Sequence, residues 1–190
     1  MSRAQVDGFR TGEVLATVFT GTLTERRGAA VEHLPTPQRL LDWLAVNGLA
    51  VARCTAREHQ QALQLREAIH LAATAVATGS SLPAEAVRVI NEAAGNGRAG
   101  AQLSPEAERT WSLGGPRAPG VVDALAVIAA DAIAVLSSGA RLALCASPSC
   151  RAVFVDTSHS RSRRWCDMNT CGNKLKKARY RGQSAADPVT

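Results

Sequence analysis

Four cysteines fall within 27 residues near one end of this 190-residue chain, and their spacing limits what that end can become. They are Cys145-x4-Cys150, then fifteen residues, then Cys166-x4-Cys171. Two short loops, each carrying a thiol pair, supply the four donors of a tetrahedral zinc site about 2.3 Å from the metal. Pro148 inside the first loop suits a tight knuckle. An iron–sulfur cluster or a pair of disulfides is the alternative open to the same residues. His159 is a spare donor that could replace one cysteine. Four thiolates saturate a tetrahedron, so the expected site holds one structural Zn²⁺ per chain, with no open position for catalysis. The fifth cysteine, Cys54, reads as a small buried hydrophobe.

The charge is as uneven as the cysteines. Residues 141–190 carry ten basic and three acidic side chains, a net of +7, whereas residues 1–140 carry a net of −1. Four thiolates and Zn²⁺ together contribute −2, which leaves the tail near +5. The basic residues form two groups, Arg161, Arg163 and Arg164 before Cys166, and Lys174, Lys176, Lys177, Arg179 and Arg181 after Cys171. On a helix Lys174, Lys177 and Arg181 share a face. A fixed cluster of guanidinium and ammonium groups attracts a phosphate backbone. DNA is therefore the expected partner, and an acidic protein docked by a zinc-dependent adaptor is the alternative. Trp165, beside a ligand, reads as core.

The rest of the chain reads as helices. Aromatic residues make up 4% and Ala, Val and Leu dominate, which suits closely packed helices. Glu13 to Thr24 reads as a helix packed by Leu15, Val18, Phe19 and Leu23. Thr36-Pro37 begins another, with Leu40, Leu41, Leu44 and Ala45 as its apolar stripe and Asn47-Gly48 as its end. Thr55-Ala56-Arg57-Glu58 is a capping box that opens a helix to Thr78, stopped by Gly79. A further helix starts near Pro83 and ends before Gly95, with Val87, Ile90 and Ala94 on one face. Ala101–Leu103 and Thr110–Leu113 read as a short hairpin within Gly- and Pro-rich loops. Val121–Leu136 is apolar on most faces, so it is either buried inside the chain or partly an interface for a homodimer. Within the cysteine segment, Ala152–Val155 reads as a strand and Gly172–Arg181 as a helix. That order, knuckle, strand and ligand-bearing helix start, suggests a treble-clef-like finger.

The expected architecture is mainly α. A helical regulatory or dimerisation domain spans residues 1–140, a small zinc finger spans 141–183, and 184–190 form a disordered tail. No apolar run reaches the roughly 18 residues of a membrane span, since Asp123 and Asp131 interrupt the longest candidate. Met1-Ser2-Arg3 opens no charged-then-apolar leader pattern. A cytoplasmic, nucleoid-associated location is expected. His33, His59 and His70 lie scattered along expected helices. The chain shows no Ser/His/Asp set, phosphate loop or carboxylate pair, so it is not expected to be an enzyme.

The segments Leu144-Cys145-Ala146-x-Pro148-x-Cys150, Phe154-Val155-Asp156-Thr157-Ser158, Ser162-Arg163-Arg164-Trp165-Cys166 and Cys171-Gly172-Asn173-Lys174 resemble the CGNR zinc finger. Lys174 stands where that signature has arginine, keeping the charge without the planar fork. Leu15-Ala16, Phe19, Thr22, Glu32-His33-Leu34, Thr36-Pro37 and Leu40-Leu41-x-Trp43-Leu44 resemble the helical domain that accompanies this finger in bacterial stress-induced transcription regulators. Those proteins commonly carry Asp and Asn in the first segment, where this chain has Val18 and Gly21. The resemblance implies a DNA-binding regulator; separately, the helical domain is expected to dimerise or to take a small-molecule effector.

Overall fold

The computed structural model describes residues 14–98, 100–103, 109–112, 118–174 and 176. Five α-helices and three two-stranded antiparallel sheets follow one another along the described chain. Helix α1 (Leu15–Thr20) leads into the small hairpin β1 (Leu23–Thr24) and β2 (Val31–Glu32). Helices α2 (Pro37–Val46), α3 (Ala56–Thr78) and α4 (Ala84–Asn96) come next. The hairpin β3 (Gly100–Leu103) and β4 (Arg109–Ser112) precedes α5 (Val121–Ser137), and β5 (Leu142–Leu144) with β6 (Val153–Val155) belongs to the cysteine segment.

Local sequence sets most of these boundaries. The Thr36 side chain accepts from the Arg39 amide at 3.3 Å, with Pro37 in the first turn, and Gly48 follows the helix at φ 75°. Thr55 and Glu58 form the expected reciprocal cap of α3, and Gly79 ends that helix in the left-handed region at φ 69°. The first helix is shorter than its sequence suggests. Thr20 and Thr22 hydroxyls donate to the carbonyls of Thr17 and Phe19 at 3.0 and 2.7 Å, offering the backbone an exit. Leu23 then pairs with Glu32 across the β1–β2 ladder instead of continuing the helix. Glu13 and Leu113, and the tail 184–190, lie outside the described residues.

The core collects the apolar faces of all five helices. Phe19 and Trp43 meet at 5.0 Å between ring centroids, with Leu34, Leu40, Leu44, Leu65 and Ile69 around them. Trp43, rather than Leu41 or Ala45, completes the buried stripe of α2. On α4 the fully buried residues are Ala86 and Ile90, with Ala94 half-buried beside them. Residues Val121 to Ala129 of α5 are buried except Val122, so most of that helix lies inside the chain. Its buried Asp123 accepts from the amides of Gly120 and Arg98, both at 2.9 Å, and thereby fixes the start of α5 to the end of α4. Gly97 lies where these helices meet. A Cβ there would stand 2.3 Å from Ala126 Cβ and 3.1 Å from the Val122 carbonyl. Gly97→Ala is expected to lower stability by about 1–3 kcal/mol through overpacking, read as a shift of the denaturant midpoint at constant slope.

A polar network ties the β1–β2 hairpin to α3. Arg66, 3% exposed, donates to both oxygens of Glu32 at 2.7 and 2.8 Å and to Glu67 at 2.8 Å. Arg26 donates to Glu67 at 2.6 Å and to the Thr20 carbonyl at 2.9 Å. Burial alone would raise the two carboxyls, but the arginines hold both below their ordinary value of 4.5. Burial, together with Arg26, pushes His70 down from 6.5 to about 4. Both effects act in the same direction. The unfolded chain binds a His70 proton that the folded chain refuses, so stability falls as pH drops from 6.5 toward 4. The contribution of Glu32 and Glu67 is present above 4.5 and is lost as pH falls below it through their folded values. Thermal melts across this acid range are expected to show a continuous decline, and His70→Gln is expected to flatten its upper part. Among the described residues no helix is long and apolar enough to cross a membrane.

Candidate metal centre

Each ligand is delivered by a different local device. Strand β5 runs directly into Cys145, whose amide donates to the Ala152 carbonyl at 2.8 Å as the β5–β6 ladder closes. The turn between the first two ligands closes through the Cys150 amide and the Ser147 carbonyl at 3.1 Å. Asp156, buried at the end of β6, accepts from the Ser158 amide and hydroxyl at 3.0 and 2.6 Å and from the Arg163 amide at 3.2 Å. Those bonds fold the 157–163 loop back toward the metal ligands and hold the Asp156 carboxyl below its usual range. The Ala146 amide, donating to the Arg164 carbonyl at 2.8 Å, ties the first knuckle to the segment that enters Cys166. Asp167 then caps a short π-helical turn, Met168–Gly172, by accepting from the amides of Asn169 and Thr170 at 2.6 and 3.1 Å. That turn presents Cys171. Gly172 leaves room for its neighbours: a Cβ would meet Met168 Sδ at 2.5 Å and Trp165 Cδ1 at 3.3 Å, so the exposed Met168 side chain would have to move aside.

The four sulfurs fit one tetrahedral ion. Zinc–sulfur bonds of about 2.3 Å place neighbouring sulfurs about 3.8 Å apart. Cys150 and Cys166 Sγ are 3.6 Å apart, Cys166 and Cys171 3.8 Å, and all four lie within 4.8 Å of one another. Cys145, Cys150 and Cys171 are buried and Cys166 is half-buried. Packed around them are Ala152 and Phe154, with Ala143 and Trp165 partly covered. Without metal the crowded thiols have mainly one another as hydrogen-bond partners. Hydrogen bonds from Cys150 and Cys166 drive the Cys145 thiol far below its ordinary range, while the same crowding drives Cys150 far above it. Zinc removes that conflict by stabilising all four as thiolates. His159 is exposed and stands outside the cluster. Cys54 is half-buried and distant from it, with burial raising its thiol.

The expected basic residues do not share one environment. Arg161 and Arg164 are exposed, Arg164 lying with its guanidinium 5.3 Å from the centre of the Trp165 ring. The Arg163 guanidinium, by contrast, donates to the carbonyls of Trp165, at 2.8 Å, and Cys166, and lies 5.0 Å over Phe154. It holds the second knuckle together. Lys174 is exposed and ion-paired with Glu25 of the β1–β2 loop. Lys176 is exposed on the helical continuation of the π turn. Lys177, Arg179 and Arg181 lie outside the described residues. Trp165 is half-buried against the ligands, as its position beside one suggests. The sequence reading picks out neither Asp167 nor Glu25, and includes Asp156 only within the segment that resembles the finger, with no role. A short polar residue two or three places before an expected turn was a signal for the two aspartates, while nothing local marks Glu25.

The metal module is seated on the helices. Leu142 and Val153 bury against Ala73 of α3, flanked by Val76, Ala77, Val135 and Leu136. The β1–β2 loop meets the first knuckle from the other side, where the Arg26 and Arg27 amides donate to the Cys150 and Ser149 carbonyls at 3.3 and 3.0 Å.

A helical scaffold bearing a closed four-thiolate centre defines a structural zinc-finger protein. Residues 141–183 match the CGNR zinc finger, and residues 13–139 match ABATE, described as "Putative stress-induced transcription regulator". The chain belongs to this ABATE family and carries its CGNR finger at the C-terminal side. No curated protein matches the chain. Elemental analysis is expected to return one zinc per chain. Cys150→Ser is expected to lose it, and iron in the purified protein would exclude the zinc assignment.

Proposed function

We propose that this protein is a DNA-binding transcription regulator of the cytoplasm and nucleoid, not an enzyme, with residues 1–140 as its regulatory and self-associating part. The observation that carries this reading is the exposed basic set Arg161, Arg164 and Lys176, held on a zinc-fixed scaffold in a family of stress-induced regulators. Fixed cations on a rigid support neutralise backbone phosphates with little ordering cost. Binding of duplex DNA should then weaken linearly in the logarithm of salt, with a slope near −0.9 for each phosphate neutralised. Fluorescence anisotropy of a labelled duplex over a salt series measures that slope. The second reading, an adaptor for an acidic protein, draws support from the Lys174–Glu25 pair, in which this surface already receives a carboxylate. Absence of duplex binding at low salt would favour it. Self-association is tested by light scattering over a concentration series, where a monomer throughout would remove it.

A further inference from the structure

A second polar site lies where the helices, the β1–β2 loop and the zinc hairpin converge. It is a cleft of about 250 Å³ lined by Arg26, Arg27, His70, Thr74, Leu144 and Arg151. Four buried side-chain polar atoms lack a hydrogen-bond partner among the described residues. Three of them, Arg26 Nε, His70 Nδ1 and Thr74 Oγ1, belong to residues lining this one cleft. Buried polar atoms are nearly always satisfied, so such a concentration marks a place where something with hydrogen-bonding atoms fits. The cleft's charge says what. The Arg26 guanidinium is matched by Glu67, but Arg27 and Arg151 form no ion pair among the described residues. Arg151 also holds φ at 52°, a left-handed conformation that a non-glycine residue adopts at a cost. Two uncompensated guanidinium groups, an unpaired N–H, a hydroxyl and an imidazole nitrogen form a polar set with no carboxylate among the lining residues, the nearby Glu67 being engaged by Arg26 and Arg66. Guanidinium groups recognise phosphoryl oxygens bidentately.

We infer that this cleft is the binding site for a small-molecule phosphomonoester. Charge decides for a phosphoryl group over a carboxylate. A phosphomonoester carries about −1.5 to −2 at neutral pH and so balances both free arginines, whereas a carboxylate balances one. The occupant would touch all three parts of the molecule at once. Arg26 and Arg27 come from the loop whose amides hold the first knuckle, His70 and Thr74 from α3, and Arg151 from the residue after a zinc ligand. Filling the cleft therefore tightens the seating of the finger on the helices, which makes the ligand an effector acting on the finger's placement.

The test is calorimetric titration of the zinc-loaded full chain with inorganic phosphate as probe, at constant ionic strength and without DNA. Acetate serves as the single-charge comparison. Because no DNA is present, failure here is separable from failure of the DNA-binding reading. Saturable one-site phosphate binding is expected, tighter than acetate. Arg27→Gln and Arg151→Gln are each expected to weaken it about tenfold or more, and Thr74→Val to weaken it less, with zinc content unchanged. If Arg151→Gln disturbs the adjacent ligand and loses zinc, Arg27→Gln, on an exposed loop residue, still decides. The inference is overturned if phosphate does not bind, if acetate binds equally well, or if Arg27→Gln leaves phosphate affinity unchanged. It is also overturned if the substitutions weaken only duplex DNA binding, for the cleft would then hold a backbone phosphate.

Discussion

Treatment with a strong chelator is expected to unfold residues 141–176 and leave the helices of residues 14–137 standing at a lower melting temperature. The size of the effect follows from what the finger has besides metal. Its apolar cluster comprises Cys145, Cys150, Ala152, Phe154 and Cys171, with Ala143, Trp165 and Cys166 beside them, so half of it is the ligands themselves. Structural zinc contributes roughly 10–16 kcal/mol of folding free energy in finger peptides, and a cluster this small cannot replace it. The helical core, built on Phe19, Trp43, Leu65 and Ile128, contains no ligand. It does lose a cover. Ala73, Val76 and Leu136 are packed by Leu142 and Val153, and the Arg26 and Arg27 amides lose their knuckle carbonyls. Circular dichroism should retain most helical signal, while limited proteolysis should cut within the cysteine segment and within residues 25–30. Collapse of all helicity on chelation would show instead that the chain folds as one cooperative unit around the metal.

Reversing exposed charges on the finger is expected to eliminate DNA binding without releasing zinc. Arg164→Glu combined with Lys176→Glu changes the finger's charge by −4, against a metallated total near +5. Loss of two phosphate contacts should lower the magnitude of the salt slope by about two, and affinity at moderate salt on the order of a hundredfold. These two positions are the informative ones because their side chains are exposed and neither is a metal ligand, the Arg164 guanidinium resting on the face of the Trp165 ring without bracing a ligand carbonyl as Arg163 does. Reversing Arg163 would mix two effects, since its guanidinium holds the carbonyls of Trp165 and Cys166. Lys174→Glu would also place a carboxylate against Glu25. Zinc content separates the classes: Arg164 and Lys176 variants should keep it, and Arg163→Glu should lose some. A double variant that binds duplex DNA with unchanged affinity and salt slope would leave the basic face as solvated surface only.

The sequence alone determined whatever is decided within a few residues. The capping box at Thr55 and Glu58, the left-handed stop at Gly79 and the cap at Thr36 are local hydrogen-bond and steric events, written in adjacent residues. The zinc ligand set belongs here too, because thiolate chemistry restricts a metal's partners to a few residue types at short spacing. The signature glycine is legible only through the resemblance to the finger, and the close approach of Met168 and Trp165 to it appears only in three dimensions.

Tertiary structure decided everything that depends on residues far apart in the chain. The sequence made Arg163 and Lys174 look like free cations, whereas the first is a brace within the finger and the second meets a carboxylate 149 positions away. Leu23 left its expected helix because Glu32 was available as a strand partner and Arg66 of α3 held that glutamate. Nothing in the sequence around His70 or Arg151 announces a common cleft, since they are contributed by a helix and a zinc hairpin that meet only after folding. Backbone caps and metal ligation are short-range and leave a pattern in order along the chain. Ion pairing, burial and cavity formation depend on which surfaces come together, and that is fixed by the packing of Leu142 and Val153 onto α3.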